Sequence, residues 1–422
     1  MPASMHSMFT WWVAAAVVLG IVLRPWRLPE YTWALAGALA LVLGGVLSPR
    51  LALGAVGKGK DVYLFLVGMM TLAELARREG LFDWLANLAV SHADGSAQRL
   101  FNLVFLVGIG VTVFLSNDAT AVVLTPAVYA AARAAKASPL PYLFICAFVA
   151  NAASFVLPIS NPANLVVFGS QMPPLHLWLL QFGLPSIAAI ALTYAMLRLT
   201  QCKPLREPLH AAAAREPMPR GARLTAWGIG FTSVLLLVVS ALDMELGLPT
   251  FLAGVATASS VLLLARRSPW ALIKGVSWGV LPLVAGLFII VEGLAQSPVI
   301  SQLAHALADL ARHSPQQASW VAGLGVALAS NLINNLPAGL IAGSLGQLAA
   351  LPQQVTSALL IGVDLGPNLS ISGSLATLLW LIAIRREGQN VGAWAFLKLG
   401  VVVMLPALLG ALGALALVAA WV

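Results

Sequence analysis

The chain is a succession of apolar runs, most of them long enough to cross a bilayer, which takes about 20 helical residues. Runs near 8–23, 31–47, 61–77, 141–170, 175–199, 224–242, 249–265, 275–292, 354–384 and 391–421 read as full spans. Two further pairs, 100–116 with 119–135 and 318–333 with 336–350, are split by polar knots, Ser116-Asn117-Asp118 and Asn331 to Asn335. Each pair is either two ordinary crossings around a surface loop or a re-entrant hairpin whose tip stops at mid-membrane. The runs lack the polar alternation that a barrel lumen needs, so the spanning elements are helices. Segments 81–93 and 299–312 are amphipathic and suit arms lying in the interface. Phe9–Leu23 is expected to be a retained first span rather than a signal peptide.

Composition removes the other classes. Of 422 residues, 60% are apolar and only 9% charged, with a mean hydropathy of +0.92. A soluble domain carries roughly a quarter charged residues to cover its surface. A cytosolic enzyme, a secreted disulfide scaffold and a disordered chain are therefore excluded, and an all-α polytopic membrane protein remains. Cys146 and Cys202 lie far apart and form no CxxC, zinc pattern or evident disulfide. None of the six histidines pairs at metal-ligand spacing. No GxxxxGK[ST] occurs, so this chain does not hydrolyse ATP itself, and no cofactor beyond the proton motive force is expected.

The net charge of +8 is a topology signal, because the bases sit in loops. They do not gather into the basic face with base-reading groups that a nucleic acid would need. The first polar-split pair is flanked by Arg99 on one side and Arg133 and Lys136 on the other, whereas the second has no base at its own ends. Two hairpins entering from opposite sides put all but four of the 23 bases in the cytoplasm. Six of these lie in the loop 198–223: Arg198, Lys203, Arg206, Arg215, Arg220 and Arg223. The exceptions are Arg50, Lys58, Lys60 and Arg312, three of them in one loop.

The two halves resemble each other. An offset of 218 lays span 9–23 on 227–241 and 31–47 on 249–265, and also Glu74 on Glu292 and Asn117 on Asn335. An offset of 212 lays Ile159-Ser160-Asn161 on Ile371-Ser372-Gly373. Each copy holds five crossings and a hairpin, and an odd number of crossings forces the second copy upside down. This is the inverted-topology repeat of secondary transporters, with the substrate near the midplane at the repeat interface. The expected organisation is a first repeat over 1–200 (hairpin 100–135, broken helix 141–170) and a basic cytoplasmic linker over 201–223. A second repeat follows over 224–422 (hairpin 318–350, broken helix 354–384).

Polar side chains concentrate in four places within this apolar background. Two are the hairpin tips. The others are Pro158-Ile159-Ser160-Asn161-Pro162-Ala163-Asn164 and Asp364-Leu365-Gly366-Pro367-Asn368-Leu369-Ser370-Ile371-Ser372-Gly373-Ser374, inside spans 141–170 and 354–384. Pro162 and Pro367 cannot continue a helix, and Gly366 and Gly373 permit unusual φ. Unpaired backbone is costly in lipid, so such breaks survive only where they line a cavity or are buried in protein. The alternative for any single Asn is a hydrogen bond that glues two helices together.

A carboxylate at membrane depth is a functional hypothesis by default. Asp118 and Asp364 can each hold a proton and release it as the site rehydrates. Asp118 is also placed to cap helix 119–135, while Asp364 has no capping role open to it and is the preferred proton site. Glu74 has Arg77 and Arg78 to snorkel beside, whereas Glu292 has no base close in sequence. No Lys or Arg occurs over 137–197 or 313–384, so the cavity has no fixed cation for a polyanion. An uncharged, hydroxyl-bearing solute suits amides and hydroxyls better, though helix N-termini remain open to a carboxylate. No thiol sits in any break, which argues against a thiolate-chelated metalloid.

Four stretches carry a family resemblance: LSNDATAVVLTP (115–126), ANAASFVLPISNPANLVVFG (150–169), SNLINNLPAGL (330–340) and GVDLGPNLSISGSLATLLWLIAIRREG (362–388). They closely resemble the ArsB arsenite permeases of the ion transporter superfamily, over nearly the whole chain. The resemblance implies a bacterial inner-membrane, multi-pass protein of arsenical resistance. It would export trivalent arsenite and antimonite as neutral trihydroxides in exchange for protons. It further implies a cytoplasmic ArsA-type ATPase as partner and a homodimer. On this reading Ser116, Asn117, Thr120, Asn161, Asn164, Asn334, Asn335, Asn368, Ser370, Ser372 and Gly373 bind substrate, centred near Asn117, Asn161, Asn335 and Ser372. Asp118 and Asp364 couple the proton. A Na+/H+ antiporter on the same scaffold is the alternative. Dicarboxylate carriers of the superfamily show Ser-Asn-Thr at both tips. Here the tips read Ser116-Asn117-Asp118 and Asn334-Asn335-Leu336, so that substrate class does not carry over. An intramembrane enzyme using the two aspartates lacks a histidine, nucleophile or metal set.

Overall fold

The computed structural model describes residues 3–23, 25–169, 172–209 and 217–421. The linker positions 210–216, with Arg215 and His210, lie outside the described residues, as does the end of the 141–170 span. Among the described residues the fold is all-helical, with one isolated β-bridge between Ser96 and Pro208. Five helices are each long and apolar enough to cross a membrane alone: Ala97–Phe114, Leu175–Thr200, Arg220–Ala241, Gly247–Leu264 and Ala393–Trp421. Four of these are expected spans, and Ala97–Phe114 is the first limb of the first polar-split pair; of the other expected spans, several are shorter or interrupted, and Lys60–Arg78 is long but carries charges near both ends. Val280–Ala295 bends by 75° into the amphipathic helix Pro298–His313.

The breaks form where the sequence withdraws backbone donors. Span 141–170 is the helix Leu140–Ala152, an irregular stretch, and the helix Pro162–Phe168. Pro162 begins that last helix, where its missing N–H costs nothing, and the Asn161 side chain accepts from the Ala163 N–H at 3.0 Å. Span 354–384 is Gln353–Leu365 and Leu375–Arg386, the latter capped by Ser374, which accepts from the Thr377 N–H at 3.0 Å. The two caps, Asn161 and Ser374, lie one position further apart than the motif alignment predicted. At the first hairpin tip Ser116 Oγ accepts from the Ala119 N–H at 3.2 Å, while Asp118 makes no capping bond. The cap expected of the aspartate is thus supplied by the serine. The chain then runs through a π-helical turn, Ala119–Leu124, a geometry that collects at functional sites. The second tip turns at Asn334, whose φ of +73° with ψ of 155° is a strained conformation for a residue other than glycine.

The helices pack as two bundles. In the first, Lys60–Arg78 lies on Gly247–Leu264, and Val280–Ala295 lies on Glu30–Leu43. Ala3–Leu23 flanks Glu30–Leu43 just as Arg220–Ala241 flanks Gly247–Leu264. The approach of Lys60–Arg78 to Gly247–Leu264 depends on Gly68 and Gly254: a Cβ on Gly254 would stand 2.7 Å from the Gly68 carbonyl oxygen. In the second bundle Leu175–Thr200 packs along Ala393–Trp421, and Pro315–Ile333 along Gln353–Leu365. Pro162–Phe168 meets Asn335–Leu348, while Leu375–Arg386 meets the 119–134 limb. Each hairpin's return limb therefore rests on the broken helix of the opposite half.

The two ends of the molecule differ in charge. At one end Glu74 pairs with Arg77 and Arg78 at 2.7 and 2.6 Å, and Arg267 pairs with Glu79 at 3.1 Å. At the other, Lys58 pairs with Glu292 at 2.6 Å, and Asp61 accepts from the Gly247 N–H at 2.6 Å. Glu292 thus finds its base 234 residues away. This pairing also accounts for Lys58, one of the bases that did not fit the charge rule.

Candidate functional site

Three of the four breaks reach one small cavity at the junction of the bundles; the fourth, with Ser372, stays behind it, and only Leu375 and Ala376 of the helix that follows line the cavity. The second bundle supplies its polar wall, Asn117, Asp118, Asn161 and Asn335, together with the apolar Pro162, Leu336, Leu375 and Ala376. The first bundle supplies Val62, Leu66, Val280 and Val284 and nothing polar. The cavity measures about 20 Å³, room for roughly one water.

The polar groups are held in defined poses. Asn117 Oδ1 accepts from the Asp118 N–H at 2.9 Å, which leaves its NH2 to face the cavity. Asn161 Oδ1 is used by the cap, and one of its two N–H groups donates to Asp364 Oδ1 at 2.8 Å. Asn335 is buried, and its Oδ1 has no partner among the described residues. Asp118 is half-buried and borders the cavity directly. Asp364 is wholly buried behind Asn161, and its Oδ2 has no hydrogen-bond partner among the described residues. The two aspartates therefore occupy different layers, one at the cavity and one behind its wall.

The other expected site residues brace the breaks. Thr120 shares a hydroxyl–hydroxyl bond of 2.8 Å with Thr112, and Ser116 is the cap. Asn164 donates to the Ser154, Leu157 and Pro158 carbonyls at 2.9–3.2 Å and so closes the irregular stretch. Asn368 donates to the Phe148 carbonyl at 3.0 Å and accepts from Asn151 at 2.9 Å. Ser370 and Ser372 donate to the Asn331 side chain and carbonyl at 2.7 and 3.2 Å. Asn334 reaches the Ser372 carbonyl at 3.4 Å. At Gly373 a Cβ would stand 2.6 Å from Pro367 Cα, so only glycine fits that crossing.

Sequence reasoning passed over the apolar wall, although a signal existed. Val62 and Val280, and Leu66 and Val284, fall on one another at the same 218-residue offset as Asn117 and Asn335. It also passed over the two braces Asn151 and Asn331, which stand inside the quoted motifs but have no feature in sequence that separates a brace from a ligand.

The family model described as citrate transporter, CitMHS, matches residues 17–363. An arsenical pump membrane protein of Escherichia coli is 28% identical over 374 residues, covering 83% of this chain and 85% of its own. One of Yersinia enterocolitica is 27% identical over 376 residues, with the same coverage. Among solved structures, the Alcanivorax borkumensis YdaH transporter superposes with a TM-score of 0.58 at 16% identity, covering 88% of this chain and 87% of its own. That likeness is one of fold. These matches are to membrane transporters and not to enzymes, and the chain belongs to the citrate-transporter family of multi-pass membrane transporters.

Proposed function

We propose that the protein is a secondary carrier that exports arsenite and antimonite as neutral trihydroxides in exchange for protons. The carrying observation is the cavity itself: three amides and one carboxylate face it, and no base does. A citrate-like trianion would meet Asp118 with nothing to neutralise it. Once the bundles part beyond the one-water volume of this state, a neutral triol can donate to the carboxylate and to Asn335 Oδ1, and accept from the Asn117 and Asn161 N–H groups. The names of the Escherichia coli and Yersinia relatives point to the same substrate class.

Position suggests how the proton is coupled. Asp118 borders the cavity, so its protonation changes what the solute meets; it, rather than the Asp364 preferred from sequence, is the proton site proposed here, and Asp364 acts through Asn161. A carrier couples two ligands only by differential affinity of its states for each. The apolar first-bundle wall offers no polar anchor, which suits movement of the second bundle past it. On this reading the halves are inverted repeats, their hairpins enter from opposite faces, and the chain sits in the bacterial inner membrane. A homodimer and a cytoplasmic ArsA-type ATPase are the partners to test by co-purification.

Arsenite uptake into everted vesicles, with and without a pH gradient, tests the proposal. Accumulation that requires the gradient supports it. Uptake indifferent to the gradient overturns the proton coupling, and sodium-driven proton flux without arsenite movement selects the antiporter.

A further inference from the structure

On the face opposite the basic loops, a second cavity of about 440 Å³ adjoins the central one, and Val62 lines both. Its second-bundle wall is uncharged, with Ser344 and Gln347 as its polar side chains. Its first-bundle wall carries Lys58, Asp61, Asp243, Glu245 and Glu292. Lys58 is engaged by Glu292 at 2.6 Å. The remaining three carboxylates pair with no base among the described residues. Asp61 accepts from the Gly247 N–H, Glu245 bears on it with like charge, and Asp243 and Glu245 are exposed at the rim. Arg50 and Lys60 belong to the same loop region but do not line the cavity.

Deeper in the same wall lies Ser240. It is 5% exposed, and its hydroxyl has no partner among the described residues. A buried hydroxyl without a partner is unfavourable unless something polar comes to occupy the space beside it. It thus leaves one hydrogen-bonding capacity unmet in this wall. Among the described residues no three ligands gather closely enough to hold a metal ion, so a guest here is not a chelated cation.

We propose that this cavity is an electrostatic anteroom: it passes small uncharged hydroxylated solutes to and from the central site and turns anions away. The inference rests on the reading of the central site given above. A cleft lined by one sign of charge between low-dielectric walls focuses its field and changes local ion concentrations by about 10- to 1,000-fold. Carboxylates on the first-bundle wall repel di- and tricarboxylates and oxyanions, while a neutral triol is indifferent to the field and finds Ser344 and Gln347 to bond. An open exporter site needs such protection from the anions around it.

The test is arsenite efflux from loaded right-side-out vesicles into low-salt medium, with and without millimolar citrate or phosphate. The wild type is compared with the double variant Asp243→Lys/Glu245→Lys. Citrate is expected to leave wild-type efflux unchanged and to slow the variant about tenfold, with high salt abolishing the difference. Efflux without anion should match in the two, which shows that the variant is inserted and folded. If it is not, Asp243→Asn/Glu245→Gln is read in the same way, with a smaller effect. A variant as insensitive to citrate as the wild type overturns the anteroom and leaves the central site standing, and so does a wild type slowed equally. A wild type that moves citrate and not arsenite overturns the proposed function itself.

Discussion

Asn161 stands between the cavity and Asp364: the same side chain caps the helix Pro162–Phe168, donates to the buried Asp364 carboxyl at 2.8 Å, and lines the cavity. One amide thus links a helix terminus, a buried carboxyl group and the cavity. Asn161→Ala should cost about 1 kcal/mol through the lost cap alone, and more because Asp364 Oδ1 would lose the amide N–H that donates to it. Vesicles carrying it should show no arsenite accumulation, and the purified protein should melt at lower temperature.

The two aspartates should part under the same conservative change. Asp118→Asn removes a titratable group from the cavity wall and should abolish accumulation driven by a pH gradient while leaving the protein folded. Asp364→Asn keeps an oxygen for the Asn161 N–H and should retain gradient-driven accumulation, with KM raised several-fold. Transport measured over a series of imposed gradients separates them. Accumulation lost in Asp364→Asn and kept in Asp118→Asn would reverse the assignment.

Val62 is shared by both cavities, so bulk there should obstruct passage without touching a polar group. Val62→Trp is expected to reduce arsenite transport at least about tenfold while thermal stability shifts by roughly the 1–3 kcal/mol typical of an overpacked site. Transport at the wild-type rate would show that solute takes another route.

Gly373 and Gly54 make a contrasting pair. Alanine at Gly373 would press on Pro367 Cα and the Asn331 side chain, whereas at Gly54 it meets nothing within 4 Å. Gly373→Ala should destabilise by about 1–3 kcal/mol and impair transport. Gly54→Ala, in the helix Pro49–Lys58, should stabilise by up to about 1 kcal/mol through helix propensity. Denaturation in detergent measures both.

The Lys58–Glu292 pair should contribute little to stability, because Lys58 is 64% exposed, and such pairs give about 0–1 kcal/mol. Lys58→Ala is expected to shift the melting temperature only slightly. Its effect should show instead as a more acidic vestibule.

Much of this architecture was legible because the bilayer restricts the choices. Long apolar runs, prolines at 162 and 367 and asparagines in matched registers mark helices and their interruptions without tertiary information. The roles of the individual asparagines were not legible. Asn117 and Asn335 face the cavity while Asn164 and Asn368 close backbone gaps, yet all four are amides beside helix breaks. What separates them is which way each points once the chain is folded, and a one-dimensional pattern carries no such direction. The Lys58–Glu292 pair was hidden for a related reason, since its partners meet only when the halves interlock.

That interlocking bears on how the protein is made. The helix Lys60–Arg78 finds its closest neighbour, Gly247–Leu264, only in the second half of the chain, and Glu30–Leu43 likewise waits for Val280–Ala295. As the ribosome threads the first half into the bilayer, those surfaces meet lipid or insertion machinery instead of their mates. Completion of the structure is therefore a late event in biosynthesis, and a chain truncated after its first half would be an orphan substrate for membrane quality control.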